Sequence, residues 1–283
     1  MKSIALTGAT GIVGTRLREY FKGAEFVVFK GDVRDPLAVK KFCRESAACD
    51  AFIHLAALVP KQVVDSDPVE AFDVNVRGTL NILEGLRQLK DCAPWMFYAS
   101  SSHVYASSPN PMSEDGSLKP FTLYGLTKLQ GEQWCQAYAK EFGLKICMAR
   151  LFSFSDPLQS NLYFIPAMIH KLKHAERNSI IEIQGVNGQR DFITIQQICY
   201  SIERLFLKKF EGVVNVGTGE GNHLLGMVRR IACLLDRGDI EIRAKDDTPT
   251  FHVANASLLN SMGVKLSNEV GSLLAKMTDI CKL

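Results

Sequence analysis

Tyr124 and Lys128, in the run Tyr124-Gly125-Leu126-Thr127-Lys128, stand four residues apart, so on a helix they share a face and reach one ligand. A free phenol titrates near pH ~10, and a neighbouring ammonium favours the phenolate, which makes Tyr124 a usable proton donor and acceptor near neutrality. The alternative is an exposed helical pair with no chemical role. Upstream, Ser100-Ser101-Ser102-His103-Val104-Tyr105 follows an apolar strand predicted over Trp95–Ala99. A hydroxyl at the end of that strand can hydrogen-bond a substrate hydroxyl or carbonyl oxygen, and a serine-rich turn is the plainer reading.

A second constellation lies at the N-terminus. Thr7-Gly8-Ala9-Thr10-Gly11-Ile12-Val13-Gly14 comes directly after a strand at Ile4–Leu6, and a helix starts within it. Glycines let backbone approach a pyrophosphate, and a helix N-terminus adds N–H groups and the positive end of a dipole. About 20 residues after the first glycine, where a dinucleotide fold places its ribose-binding acid, the chain reads Val28-Phe29-Lys30 and has no carboxylate. Asp32 follows closely and can serve the ribose or the adenine edge. Lys30 and Arg34 can instead accept a 2′-phosphate, with solvated surface charge as the alternative for both.

The elements that must position these groups alternate. Strands at Ile4–Leu6, Glu25–Phe29, Ala51–Leu55, Trp95–Ala99 and Lys145–Leu151 are separated by helices near Thr15–Phe21, Pro36–Arg44, Val69–Leu89 and Tyr124–Phe142. That alternation predicts an α/β fold, a Rossmann-like doubly wound parallel sheet over residues 1–155. A smaller, mainly substrate-binding domain follows over 156–283, with some segments returning to the first. The 18 positions from Gly14 to Asp32 hold one helix and roughly one strand, so the fold is shortened after its first helix.

A chain of 283 residues can bury a substantial core, and 33 basic against 30 acidic residues leave no concentrated positive block for a nucleic acid or a membrane surface. With no signal-peptide core and no long apolar run, a cytoplasmic location is expected. The eight cysteines, Cys281 the last of them, form no CxxC pair, and reduced thiols without a metal are expected. His170 and His174 share a helical face without a third ligand in view.

Together these features resemble the extended short-chain dehydrogenase/reductase family, the NAD-dependent epimerases and dehydratases that modify nucleotide sugars. The resemblance rests on TGATGIVG (Thr7–Gly14), GDVRD (Gly31–Asp35), HLAA (His54–Ala57), NVRGTLNIL (Asn75–Leu83), SSSHVY (Ser100–Tyr105), YGLTK (Tyr124–Lys128), QRDFI (Gln189–Ile193) and NVGTGE (Asn215–Glu220). It implies that Gly8, Thr10, Gly11, Ile12 and Gly14 hold the pyrophosphate of NAD or NADP. Lys30, Asp32 and Val33 would meet the adenosine end, with Ala56, Ala57 and Asn75 lining the cleft. Lys128 would bind the nicotinamide ribose while assisting Tyr124, and Ser101, three before Val104, would be the catalytic hydroxyl.

Departures narrow the activity implied. Family dehydratases carry Asp-Glu after the catalytic hydroxyl, whereas Ser102 and His103 stand here, which disfavours dehydration. His103 can replace the base used for epimerisation beside a ketone, although simple redox at one carbon needs no such group. A 4-epimerase or 4-keto reductase of a UDP-, GDP- or dTDP-linked sugar is therefore expected. Substrate contacts would come from Ser101, Ser102, His103, Arg190 and Arg243, and from Ser153, which stands where the family often has Asn. Apolar excess on the helices near Val69–Leu89 and Tyr124–Phe142 suits a homodimer. The competing readings are an oxidoreductase of a free sugar or small ketone, and a non-catalytic NAD(P)-binding redox sensor.

Overall fold

The structure, a computed structural model, describes residues 1–280, so Cys281 lies outside the described residues. In chain order the elements begin β1 (Ser3–Thr7), α1 (Ile12–Tyr20), β2 (Glu25–Val28), α2 (Pro36–Glu45), β3 (Ala51–His54), α3 (Lys61–Ser66), α4 (Pro68–Phe72) and α5 (Gly78–Arg87). Then come β4 (Trp95–Ser101), α6 (Leu123–Phe142), β5 (Ile146–Leu151), β6 (Ser153–Ser155), α7 (Phe164–Lys173), β7 (Ile180–Ile183), β8 (Gln189–Thr194), α8 (Ile195–Leu207) and β9 (Gly212–Val216). The chain ends with β10 (Gly221–His223), α9 (Leu224–Leu234), β11 (Glu241–Ala244), β12 (Phe251–His252), α10 (Ser257–Ser261) and α11 (Val270–Ile280).

Two compact units result. The first comprises Met1–Ala106, Glu114–Leu151 and Gln196–Val216. Its sheet has six strands, every pair parallel, in the order β2-β1-β3-β4-β5-β9. The strand order reverses between β1 and β3, so the crevice at their carboxyl ends is the place where such a sheet binds ligands. One strand, β2, occupies the interval between α1 and Asp32 and pairs directly with β1, which is the shortening expected from the spacing. On one face of this sheet Val39, Phe42, Ile82, Leu86, Tyr138 and Leu144 bury α2, α5 and α6 against Ala5, Phe52, Met96 and Met148. The apolar burial of such side chains stabilises the layer by roughly 1.5–3 kcal/mol each.

The helix expected over Val69–Leu89 starts at Pro68, where Asp67 caps it by accepting from the Glu70 N–H at 2.8 Å. It does not run as one regular α-helix. A π turn over Asp73–Arg77 separates α4 from α5 and places Asn75 inward, 1% exposed. Such a turn adds one residue to the ladder without breaking it and so redirects a side chain, a change that apolar spacing does not report.

The second unit comprises Ser107–Ser113, Phe152–Ile195 and Gly217–Leu283, described as far as Ile280. Its central strand β8 pairs antiparallel with β10 and, along successive stretches, parallel with β12 and β6. Strands β7 and β11 form a separate parallel pair. Ile165, Ile169, Ile183, Val228, Ile231 and Leu274 join α7, α9 and α11 in one apolar core. The segment around Met112 is bound by Met112 N–H to Val253 O at 2.8 Å and Asn255 N–H to Met112 O at 2.8 Å.

Candidate active site

The turn after β1 is shaped by Gly8. Its φ of +71° lies in the left-handed region, and a Cβ there would stand 2.7 Å from the backbone N of Ala56. Only glycine allows the β1 and β3 loops this close. The following helix α1 begins at Gly11 with no side-chain cap, so its first N–H groups are left to another acceptor. In front of this turn opens a cavity of about 800 Å³ lined by Gly8, Ala9, Thr10, Arg18, Val28, Phe29, Lys30, Gly31, Asp32, Val33 and Ala56. Cradle, uncapped helix and cavity together fit a dinucleotide.

Of the expected cofactor residues, Gly8, Thr10, Lys30, Asp32, Val33 and Ala56 line this cavity. Gly11, Ile12 and Gly14 form the turn and first helical residues behind it. Asn75 does not line the cavity: its Oδ1 accepts from Leu58 N–H at 2.7 Å and its Nδ2 donates to Leu58 O at 2.9 Å. Asp32 is held by Arg34, whose Nε and Nη2 reach its carboxylate at 2.9 and 2.6 Å. That pairing keeps the Asp32 carboxyl below its usual range, chiefly through the Arg34 hydrogen bonds. Arg34 is therefore engaged, with its Nη1 also 3.3 Å from Glu70. The cation that sequence reading missed is Arg18, on the exposed face of α1, where nothing in the local pattern marks it.

The proton-handling groups stand on β4 and α6. Thr122 caps α6 by accepting from Gly125 N–H at 3.0 Å. A Cβ at Gly125 would lie 2.3 Å from His103 O, so a glycine lets the helix start abut the turn Ser102–Val104. Ser101 caps that turn, its Oγ accepting from His103 N–H at 3.2 Å, and is 6% exposed. The His103 ring stacks on Phe121 and meets the Tyr124 ring edge-on, each at 5.7 Å between centroids. One turn on, the buried Lys128 donates to Ala99 O at 2.8 Å and lies over the Tyr98 ring at 5.1 Å. Burial lowers its pKa to about 8, against an upward pull from Cys135 and Glu132.

Glu132 continues the same face of α6, four after Lys128. It receives Arg150 through Nε at 2.9 Å and Nη2 at 2.7 Å, both side chains 1% exposed, and Ser100 Oγ also bonds it. Arg150 Nη1 reaches Tyr105 Oη and Glu114 O, each at 2.7 Å, and Tyr105 Oη donates to Asn215 Oδ1 at 2.7 Å. Burial raises the Tyr105 phenol to about 12, so it is neutral and donates. Neither Glu132 nor Arg150 figured among the sequence candidates. The signals were present: a carboxylate in register with Tyr124 and Lys128, and a cation inside the apolar strand Ile146–Leu151.

The second unit carries the other candidates. Ser153 lies on β6, in register with Phe192 of β8. Arg190 on β8 donates to Gln189 O at 2.8 Å and to Thr250 O and Oγ1, each at 2.7 Å. Its neighbour Asp191 is fully buried and accepts from Thr218 N–H at 3.0 Å, Thr218 Oγ1 at 2.7 Å and Gly219 N–H at 2.9 Å. Arg243 is exposed on β11 and pairs with Glu241 at 2.7 Å. The His170 and His174 rings lie tilted to one another with centroids 4.3 Å apart, and among the described residues no three His, Cys, Asp or Glu groups could hold a metal. No described helix is long and apolar enough to cross a membrane.

Three comparisons bear on the arrangement. GDP-6-deoxy-D-mannose reductase of Pseudomonas aeruginosa is 25% identical over 279 residues, spanning 94% of this chain and 90% of that protein. GDP-6-deoxy-D-talose 4-dehydrogenase of Aggregatibacter actinomycetemcomitans is 26% identical, spanning 92% and 91%. Among solved structures, RMD from Pseudomonas aeruginosa complexed with NADPH superposes with a TM-score of 0.86 at 22% identity, covering 99% of this chain and 98% of that one. The family profile described as NAD dependent epimerase/dehydratase matches residues 4–217. With that match across the parallel sheet, the glycine cradle and the Tyr124–Lys128 helix, the chain belongs to the NAD dependent epimerase/dehydratase family, the extended short-chain dehydrogenases/reductases.

Proposed function

We propose that the chain is an NADP-dependent 4-keto reductase of a nucleotide-linked sugar. The observation that carries the reading is the placement of Ser101, Tyr124 and Lys128 at the meeting of β4 and α6, in the unit that also holds the Gly8 cradle. A dinucleotide held at the Gly8 cradle would supply the hydride from its nicotinamide. Tyr124 gives its phenolic proton to the carbonyl oxygen as that oxygen gains charge, and Ser101 holds the same oxygen by hydrogen bond. Lys128, still largely an ammonium near neutrality, eases loss of the phenolic proton. Reduction is favoured over epimerisation because relatives matched along nine-tenths of their length are a GDP-sugar reductase and a GDP-sugar 4-dehydrogenase.

The choice of NADP follows from charge in the cavity. NAD recognition uses a carboxylate on the ribose hydroxyls, and here the one lining carboxylate, Asp32, is engaged by Arg34. Arg18 and Lys30 bring two cations suited to a 2′-phosphate. Arg190 and Ser153 are assigned to the nucleotide-sugar diphosphate, through the guanidinium edge left beyond Thr250. Val69 and Phe72 on α4 and Leu126 and Trp134 on α6 are exposed and apolar, which supports pairing of two copies through these helices.

The test is turnover of GDP- and dTDP-linked 4-keto-6-deoxy sugars followed at 340 nm with NADPH. Consumption of NADPH, lost by roughly 10²–10⁴-fold in Tyr124→Phe, is expected. Sugar interconversion with no net absorbance change would make it an epimerase. A mass of one chain at all concentrations in light scattering would reject the dimer.

A further inference from the structure

A chain of buried hydrogen bonds runs from the cofactor cleft to the helix of Tyr124. Ala56 N–H donates to Thr7 Oγ1 at 3.3 Å, and Thr7 Oγ1 lies 2.7 Å from His54 Nδ1. His54 Nε2 lies 3.1 Å from Thr79 Oγ1, which donates to Asn75 O at 2.6 Å. The Asn75 amide then clasps both backbone groups of Leu58 and donates from Nδ2 to Thr127 Oγ1 at 3.0 Å, and Thr127 donates to Tyr124 O at 2.8 Å. Thr7, His54, Asn75, Thr79 and Thr127 are all buried.

The directions in this chain are fixed by elementary accounting. A backbone carbonyl only accepts, so the single hydroxyl hydrogen of Thr79 goes to Asn75 O. Thr79 Oγ1 must then accept from His54, which puts the ring proton on Nε2. In a neutral ring Nδ1 carries no hydrogen and accepts from the Thr7 hydroxyl, whose lone pair takes the Ala56 N–H. The same rule makes Thr127, which donates to Tyr124 O, accept from Asn75. Along these links no donor faces a donor, and the neighbouring Tyr98 hydroxyl, which also contacts Thr79, donates to Lys128 O at 3.3 Å. Burial supports the neutral ring by lowering the His54 pKa to about 3.

We propose that His54, fixed as the Nε2–H tautomer, is a positioning residue that ties the cofactor-cleft loop Leu55–Leu58 to the first turn of α6, so that dinucleotide affinity depends on hydroxyls of Thr79 and Thr127 that do not line the cleft. The π turn over Asp73–Arg77 carries Asn75, whose carbonyl takes the Thr79 hydroxyl while its side chain reaches Leu58 and Thr127. The inference rests on the cleft reading above, and the wild-type tautomer is measurable without it.

The experiment measures NADPH dissociation constants for Thr79→Val, Thr127→Val and the double variant, with Thr79→Ser and Thr127→Ser beside them, and the ¹⁵N shifts of His54 in the wild type at neutral pH. Each valine should raise the constant roughly tenfold, the scale of one hydrogen bond lost among buried partners, and each serine should restore it. The double variant should lose little more than the worse single one, because the links act in series. Unchanged NADPH binding in folded valine variants would overturn the proposal. So would an Nδ1–H or doubly protonated ring in the wild-type spectrum, which decides the matter even where the valine variants fail to fold. A wild type that binds no dinucleotide, with the Nε2–H ring intact, would instead sink the functional reading.

Discussion

Replacing Glu132 with Gln tests the group that sits behind the proton-handling face of α6. In the native chain the Arg150 guanidinium is 1% exposed and its cation is met by the Glu132 carboxylate through Nε and Nη2, at 2.9 and 2.7 Å. Glutamine keeps the volume but removes the negative charge and turns one oxygen into a donor facing Arg150 and Ser100. Leaving a buried cation without its counter-charge costs about 3–5 kcal/mol. At roughly 2–4 °C per kcal/mol for a chain near this size, the melting temperature should fall by about 6–20 °C. The carboxylate also pulls the Lys128 pKa upward, so its loss lets burial lower that pKa further below about 8. An alkaline limb set by Lys128 should then move to lower pH in the variant. Urea unfolding and the pH profile of kcat are the assays, with Glu132→Gln/Arg150→Met as the control, since removing both charges is often close to neutral. A single variant that costs less than about 1 kcal/mol, or a double variant as unstable as the single, would refute this account of the pair.

Other perturbations separate the roles of neighbouring groups. Arg18→Gln with Lys30→Gln should weaken NADPH binding by about tenfold or more and leave NADH binding nearly unchanged, as read by titration calorimetry; equal losses for both nucleotides would refute the 2′-phosphate assignment. Arg34→Ala should release the Asp32 carboxylate towards a ribose hydroxyl and improve NADH affinity relative to NADPH, measured the same way, whereas an unchanged ratio would show that Asp32 does not face the ribose. His54 has a folded pKa of about 3 against an ordinary 6.5, so the unfolded chain binds the extra proton between those values. Its contribution is therefore full above pH 6.5 and falls by as much as about 5 kcal/mol as pH drops towards 3, and His54→Asn should flatten that part of the stability curve. For Lys128 the sign is the same in a higher window: its folded pKa of about 8 lies below the ordinary 10.5, so burying the ammonium destabilises the fold below pH 8 and that penalty lifts as pH rises to 10.5. Lys128→Met should unfold with a weaker rise across this window in calorimetry.

Local sequence carries the parts of this molecule that are local in physics. The Thr7–Gly14 turn joins a strand to a helix within eight residues, so its glycines and its place after an apolar run suffice to read it. The Tyr124–Lys128 pair is likewise set by one helical turn. What spacing cannot report is a partner supplied from far along the chain. Arg150 reads as an anomaly in a buried strand until Glu132 and the Glu114 carbonyl are seen around it. Arg190 reads as a phosphate ligand, and 60 residues later Thr250 takes two of its donors. Asp191 has four backbone and hydroxyl donors from Thr218, Gly219 and Ala254, which explains a buried carboxylate without any chemical role. The π turn escapes for another reason: it preserves helical dihedrals and apolar burial on either side, so no break in pattern marks it.

The shortened N-terminal half gives a physical reason why cofactor choice is written in unusual positions. In an open parallel sheet the strand beside β1 ends near the adenosine, and the residues just past that end decide between a ribose hydroxyl and a phosphate. Here β2 is both that neighbour and the strand that leads directly into Gly31-Asp32-Val33, because it pairs with β1 from Ser3↔Glu25 to Leu6↔Val28. One segment, Phe29–Val33, must therefore serve where two strand ends would share the work, and all five of its residues line the cavity. Its acid sits two residues from Arg34, a spacing that closes the ion pair locally and neutralises the carboxylate. With the strand-end acid neutralised in this way, Lys30 from the same segment and Arg18 from across α1 remain as the charges that set the potential at the adenosine end. On the proposed NADP reading, this compact connection serves a phosphate in place of a hydroxyl without any added element.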